Sequence, residues 1–171
     1  MLIVFSGLPG TGKTSIARDL AGQTNAVYLR IDTIEQAIRD AGVLARDVGT
    51  SGYRVAHGLA ASNLGLGHRV VVDCVNPVSE SREAWREVAI RAGAALVNIE
   101  VICSDRQEHQ RRVETRTSDI PGLTPPTWQS VLAHEYEPWD NAALTIDTAL
   151  KSAAQAVAAI TEELLTPRGK V

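Results

Sequence analysis

The sequence is poor in aromatic residues, sulfur and unbroken apolar runs. Aromatics make up 4% of its 171 residues, so a folded core must be built from Ala, Val, Leu and Ile. The two cysteines, Cys74 and Cys103, lie in or just after apolar runs and read as reduced thiols packed as small hydrophobes, not as a disulfide framework. No uninterrupted apolar stretch reaches the ~18 residues of a membrane span. The opening run MLIVFSGLPG is too short for one and lacks the basic flank of a secretion signal, so a cytoplasmic protein is expected. Surplus positive charge is missing too: the net charge is −3 and the pI about 5.8, which argues against a dedicated nucleic-acid binder. There is no internal repeat, low-complexity tract or dividing linker. The expectation is one domain over residues 1–171.

What is present alternates between short β-rich runs and longer helical patterns. Strands are expected at Leu2–Ser6, Val27–Ile31, Arg69–Asp73, Leu96–Cys103 and Leu144–Asp147. Helices are expected at Lys13–Gly22, Thr33–Ala41, Ser51–Leu66, Ser79–Ala92, Asp105–Arg116, Thr127–Tyr136 and Ala149–Leu165, with Ser79 as an N-cap and the final PRGKV frayed. Thr117–Pro126, with three prolines and a glycine, reads as a loop. Strands separated by helices imply parallel pairing with right-handed crossovers, and so a three-layer α/β architecture of about five parallel strands.

Residues 7–14 read Gly-Leu-Pro-Gly-Thr-Gly-Lys-Thr, a full match to G-x-x-x-x-G-K-[ST]. The pattern has a mechanism. Glycines let the backbone of Gly7, Leu8, Pro9, Gly10, Thr11 and Gly12 curl with its N–H groups inward, and the following helix N-terminus, through Ser15, completes a nest for phosphate oxygens. Lys13 supplies charge to the β- and γ-phosphates, and Thr14 offers a hydroxyl to Mg²⁺. A nucleoside triphosphate, ATP with Mg²⁺, is the expected ligand. No Asn-Lys-x-Asp guanine motif is present, which argues against a GTPase switch.

Such a cradle needs a carboxylate near the metal at the end of another buried strand, and Asp73, closing RVVVD, is the candidate. Asp32 closes the strand VYLRI. A carboxylate there would face the γ-phosphate from the acceptor side and could take a proton from an attacking hydroxyl; the alternative is an N-cap for a helix starting at Thr33, with Glu35 completing a capping box. Arg54 and His57, three apart on one expected helix, and Asn76 in the Cys-Val-Asn-Pro turn are candidates to touch the acceptor. Trp128, Glu135, Tyr136 and Trp139 cluster after the proline-rich loop and read as a pocket wall, a cover for the adenine or a staple for that loop.

Gly7–Thr14, Asp32 within YLRIDTIEQAI and VVVDCVNP at Val70–Pro77 together resemble the small P-loop kinases with an AAA-type domain, a group close to chloramphenicol phosphotransferase, polynucleotide 5′-hydroxyl kinase and zeta-toxin-like kinases. The resemblance implies a P-loop NTPase fold of the nucleoside monophosphate kinase-like type and ATP-dependent transfer to a hydroxyl. It makes Asp32 the general base and a region of about residues 105–126 the lid. It also implies lid arginines spaced R-x-x-x-R, which Arg112 and Arg116 satisfy with Arg111 beside them; residues four apart share a helical face. The alternative for these is a solvated face paired with Glu108 and Glu114. Polynucleotide kinases carry an arginine three residues after the base, where this chain has Glu35, so a small-molecule acceptor is favoured. A polynucleotide 5′-hydroxyl kinase and a non-kinase ATPase or switch are the alternatives.

Overall fold

Strand β1 (Leu2–Ser6) has no exposed side chain, which is why it reads as an unbroken apolar run: it is covered on both faces. The computed structural model describes residues 1–42, 47–139, 142 and 144–165. After β1 come α1 (Lys13–Thr24), β2 (Val27–Arg30), α2 (Ile31–Asp40), α3 (Ser51–Gly65), β3 (Val70–Asp73), α4 (Ser79–Arg91), β4 (Leu96–Ile102), α5 (Arg106–Thr115), α6 (Trp128–Leu132), β5 (Leu144–Asp147) and α7 (Ala153–Leu165). The sheet is parallel throughout, in the order β2-β3-β1-β4-β5.

The pleat divides the core in two. Ile3, Phe5, Val71, Ile99, Val101 and Ile146 point to one side and meet Ile16 and Leu20 of α1 and Val157 and Ile160 of α7. Leu2, Val4, Val70 and Val72 point to the other, against Ala56 and Ala60 of α3 and Trp85 and Val88 of α4. This is a three-layer α/β sandwich. Truncating a fully buried residue such as Phe5 to Ala would cost about 3–5 kcal/mol. No helix among the described residues is long and apolar enough to cross a membrane. Both cysteines are free thiols; Cys74 is buried, and burial pushes its thiol pKa up.

Several boundaries differ from the sequence-based expectation. Helix α2 starts at Ile31, because Ile31 is drawn into the core and Arg30 is the last extended residue. Asp32 therefore sits inside the first turn and does not cap it. Helix α4 is preceded by Val78, with Ser81, not Ser79, closing the turn: its Oγ donates to the Val78 carbonyl at 2.7 Å, while the Ser79 N–H is taken by Glu137 at 2.6 Å. Helix α6 stops at Leu132, well short of Tyr136. Helix α7 starts at Ala153, not Ala149. Ser152 accepts from the Gln155 N–H at 3.3 Å and donates its own N–H to Gln155 Oε1 at 2.9 Å, a reciprocal cap that leaves 148–152 as a loop. The expected fraying of PRGKV lies outside the described residues.

Candidate active site

Strand β1 releases the chain into Gly7–Thr14 at the carboxyl end of the sheet, between β3 and β4, where open parallel sheets hold ligands. Gly7 has φ 142° and Gly10 φ 86°. A side chain at Gly7 would collide with the Val101 carbonyl, and one at Gly10 with Val113 and His109 of α5. The N-terminus of α1 has no side-chain cap, so its first N–H groups are available to an anion. Lys13 is only 7% exposed.

Three of the cavities that border this loop share walls. One of about 340 Å³ is lined by Lys13, Thr14 and Ser15 together with Arg112 and Arg116. A small one of about 100 Å³ brings Lys13 and Arg116 together with Asp32, Val75 and the Leu123–Pro126 loop. The third, about 480 Å³, lies between Gly12, Ser15 and Arg112 and the loop from Thr148 to Ala153. The structure thus gathers Lys13, Thr14, Ser15, Arg112, Arg116 and Asp32 around one crevice, with room for a base or ribose on the Thr148 side.

Helix α5 packs directly on the cradle. His109 Nε2 lies 2.8 Å from the Pro9 carbonyl, and its ring stands edge-on to Trp128 at 5.2 Å. Arg112 is held by three contacts: Nε donates to Glu108 at 2.7 Å, Nη1 to Thr148 Oγ1 at 2.8 Å and Nη2 to the Thr148 carbonyl at 3.1 Å. Thr148 Oγ1 lies 2.7 Å from the Thr11 carbonyl, which ties the arginine to the cradle. Arg111 instead points outward and pairs with Glu108, whose carboxyl is held down at about 2 by hydrogen bonds from Arg111 and Arg112.

Asp73 is 3% exposed and lies in register with Phe5 on one side and Arg30 on the other. Tyr28 donates its hydroxyl to Asp73 Oδ2 at 2.9 Å. Burial, and then the Asp73 charge, push the Tyr28 pKa up. Arg30 is the hub: its guanidinium is 3.8 Å from Asp73 and 3.9 Å from Asp32, and its Nη1 donates to both oxygens of Asp119 at 2.9 and 3.0 Å. Burial works against the Arg30 charge, but these carboxylates outweigh it and hold the pKa above its ordinary value. Neither Arg30 nor Asp119 is a fixed position of a motif in the sequence. A polar residue at the buried end of β2 was the available signal for Arg30; Thr148 has none.

One hydroxyl at Thr14 and one carboxylate at Asp73 form the donor set that would suit Mg²⁺, an ion that takes its other ligands from phosphates and water, although Asp73 lies under Tyr28 and Arg30 and lines none of the three cavities. Among the described residues there is no cluster of three or more His, Cys, Asp or Glu that would form a metal cage without a nucleotide.

Arg54, His57 and Asn76 line none of the three cavities. Arg54 is exposed on α3. His57 packs edge-on against Trp85 with ring centroids 4.3 Å apart, and burial lowers its pKa. Asn76 is fully buried at φ 50° and props the end of β1: its Nδ2 donates to Ser6 Oγ at 3.0 Å, and its N–H to the Tyr53 hydroxyl at 3.0 Å. Trp128 packs with Val113, Val131 and Leu8, while Trp139 stacks under Arg82 at 4.2 Å. Both act as staples, and neither borders the crevice.

A parallel sheet in this order with a phosphate cradle after β1 is the fold of P-loop kinases. The chain belongs to the AAA domain family, which matches it over residues 2–124. An uncharacterized protein of Mycobacterium tuberculosis H37Rv is 31% identical over a 108-residue alignment covering 56% of this chain and 22% of that protein. The chain thus spans about a fifth of the length of the curated relatives it matches. Among solved structures, a protein from Chloroflexus aurantiacus that has been proposed to be a kinase superposes with a TM-score of 0.73 at 20% identity, covering 98% of this chain and 97% of the other. The APS kinase CysC of Mycobacterium tuberculosis, in complex with AMPPNP and APS, gives 0.69 at 19% identity over 95% and 96%. At these identities the likeness concerns the fold.

Proposed function

We propose that this chain is a cytoplasmic ATP-dependent phosphotransferase that moves the γ-phosphate of ATP to a hydroxyl of a small-molecule acceptor. One observation carries the reading: Lys13, Arg116 and Asp32 line the same small cavity. A phosphate held by Lys13 and Arg116 would present its γ-phosphorus to a hydroxyl held by Asp32. The fold of the nucleotide-bound kinase relative is consistent with this.

In the proposed reaction the acceptor oxygen forms a bond to the γ-phosphorus while the bond to the β–γ bridging oxygen breaks. The hydroxyl proton passes to an Asp32 oxygen, and ADP leaves. Lys13, Arg112 and Arg116 oppose the charge on the transferred group, and Arg112 is already oriented for this by Thr148 and Glu108. Thr14 and Asp73 would hold Mg²⁺, which when bound neutralises phosphate charge. Residues 105–126 act as a lid over the acceptor cavity within a single domain, and an acceptor that fills this small cavity would displace the water that otherwise competes for the phosphate.

The test separates binding from transfer. ATP is offered with sugars, nucleosides, aminoglycosides, other hydroxylated antibiotics, hydroxy acids and 5′-hydroxyl oligonucleotides, and phosphorylated product is measured. Asp32→Asn should lower transfer at least about 10²-fold while nucleotide binding persists. Transfer at the wild-type rate in that variant would remove Asp32 from the reaction. Phosphorylation of oligonucleotides alone would assign the acceptor to nucleic acid.

A further inference from the structure

The acceptor side of the crevice is built around an anion that the protein supplies itself. Asp119 lies on the loop after α5 with its side chain 54% exposed, yet its carboxylate is drawn towards arginines from three elements. Arg30 Nη1 donates to both of its oxygens, Arg18 Nη1 lies 3.8 Å from Oδ2, and Arg116 adds its field. The Arg30 side chain is 6% exposed, and its Nε and Nη2 are buried without a hydrogen-bond partner, which is costly for a charged group. All four residues line the cavity that also holds Lys13 and Thr14.

Position separates this group from the nucleotide end. Arg18 is one helical turn beyond Thr14 and so shares its face of α1. Arg30 is two residues before Asp32. Neither borders the cavity at Thr148–Ala153. On the phosphotransferase reading Lys13, Arg112 and Arg116 serve the phosphates, so Arg18 and Arg30, which hold Asp119, exceed what the nucleotide requires.

We propose that Arg18 and Arg30, with Arg116 shared between them and the transferred phosphate, form a receptor for an oxyanion carried by the acceptor, and that Asp119 occupies this receptor until the acceptor arrives. The inference rests on the phosphotransferase reading and narrows it: the acceptor is a hydroxyl compound bearing a carboxylate or a phosphate monoester. Exchanging one carboxylate for another leaves the charge balance around Arg30, Asp32 and Asp73 unchanged. A phosphate monoester would draw its extra charge compensation from Arg18, the most exposed of the three. The displaced Asp119 moves with its loop, which joins α5 to α6, so acceptor binding and lid position become coupled.

The experiment uses the whole chain loaded with Mg²⁺ and a non-hydrolysable ATP analogue, so that the cradle is filled. Inorganic phosphate and malate are then titrated in separate arms by calorimetry. The expected result is saturable binding of one or both, weakened about tenfold in Arg18→Ala and tightened about tenfold in Asp119→Asn, the change for one charge-assisted hydrogen bond. Arg91→Ala, exposed on α4, serves as the control and should match wild type. In a transfer assay with matched acceptors, the oxyanion-bearing member of each pair should show a kcat/KM at least about tenfold higher than its neutral partner. Phosphate binding without malate binding assigns the receptor to monoesters, and the reverse assigns it to hydroxy acids. No binding of either anion, or equal binding in all variants, overturns the proposal. Weaker binding in Asp119→Asn overturns it as well, since Asp119 would then help to build the site. Failure of the nucleotide analogue itself to bind would instead refute the phosphotransferase reading. Equal transfer to neutral and anionic acceptors would uphold that reading and refute this one.

Discussion

Replacing Thr148 by valine tests whether the cradle and its arginine are prepared before substrate arrives. The hydroxyl of Thr148 has several partners: the Thr11 carbonyl at 2.7 Å, the Ile102 carbonyl at 3.1 Å and the Arg112 guanidinium at 2.8 Å. Valine keeps the shape and removes the oxygen. One of the losses is covered and one is covered in part. The Ile102 carbonyl still receives the Thr148 N–H at 2.9 Å, and Arg112 still reaches the Thr148 carbonyl and Glu108. The Thr11 carbonyl loses its link to Thr148, and Arg112 Nη1 loses its acceptor. That amounts to about 1–2 kcal/mol. At about 2–4 °C per kcal/mol for a chain of this size, the melting temperature should fall by about 3–6 °C. With Arg112 held at two points rather than three, transfer should fall about tenfold. Nucleotide affinity should change less, because Lys13 and the α1 N-terminus are untouched. Thr148→Ser keeps the hydroxyl and should recover most of both losses. Thermal unfolding and steady-state transfer, run on all three proteins, decide the matter. A valine variant that melts with wild type and turns over like the serine variant would refute the claim that Thr148 orients Arg112.

Lys13→Ala should abolish nucleotide binding in a fluorescent-analogue titration, and unchanged affinity would remove the cradle from the account. Tyr28→Phe leaves the buried Asp73 without its hydroxyl donor and should cost about 1.5–3 kcal/mol in a urea unfolding curve; a cost near zero would mean that Arg30 alone satisfies Asp73. Burial pushes the Glu35 carboxyl pKa up, against the pull of Arg39. The folded chain then holds that proton more tightly than the unfolded chain does. Its contribution is fully present below the unfolded value of about 4.3 and is lost as pH rises through the folded value. Glu35→Gln should therefore gain stability relative to wild type more at about pH 7 than at about pH 4. Equal differences in urea midpoint at the two pH values would contradict the assignment.

What the sequence disclosed and what it withheld divide along chain separation. The cradle is local: strand, glycines, lysine and helix follow one another within a few residues, so each constraint is written beside the next. Asp32 and Asp73 could be proposed because parallel buried strands end in the same layer; Asp32 lines the small cavity from the first turn of α2, whereas Asp73 lies under Tyr28 and Arg30 and lines none of the three cavities. The contacts that organise the crevice are not local. Arg30 meets Asp119 across 89 positions, and Thr148 meets Thr11 across 137. No periodicity encodes such meetings. Arg54 and His57 show the matching error. Helical spacing tells which residues are neighbours on a helix, but not what lies opposite, and His57 finds Trp85 of α4 rather than a ligand cavity. The early start of α2 has the same origin, since Ile31 obeys the core rather than the local cap preference.

The bare α-carbon of Gly10 leaves space that Val113 and His109 fill, so the phosphate loop and α5 share one packed interface along most of the helix. Raising that helix to admit substrate would tear the interface open and expose apolar surface at each turnover. The cheaper hinge lies just past the helix, where Arg116 turns extended at φ −67° and ψ 129° and the proline-bearing loop begins. On the proposed reading, opening the lid region is then a swing of residues 116–126, with α5 as their fixed doorpost. Crosslinking His109 to the cradle should leave turnover intact, whereas crosslinking residue 119 to α1 should stop it.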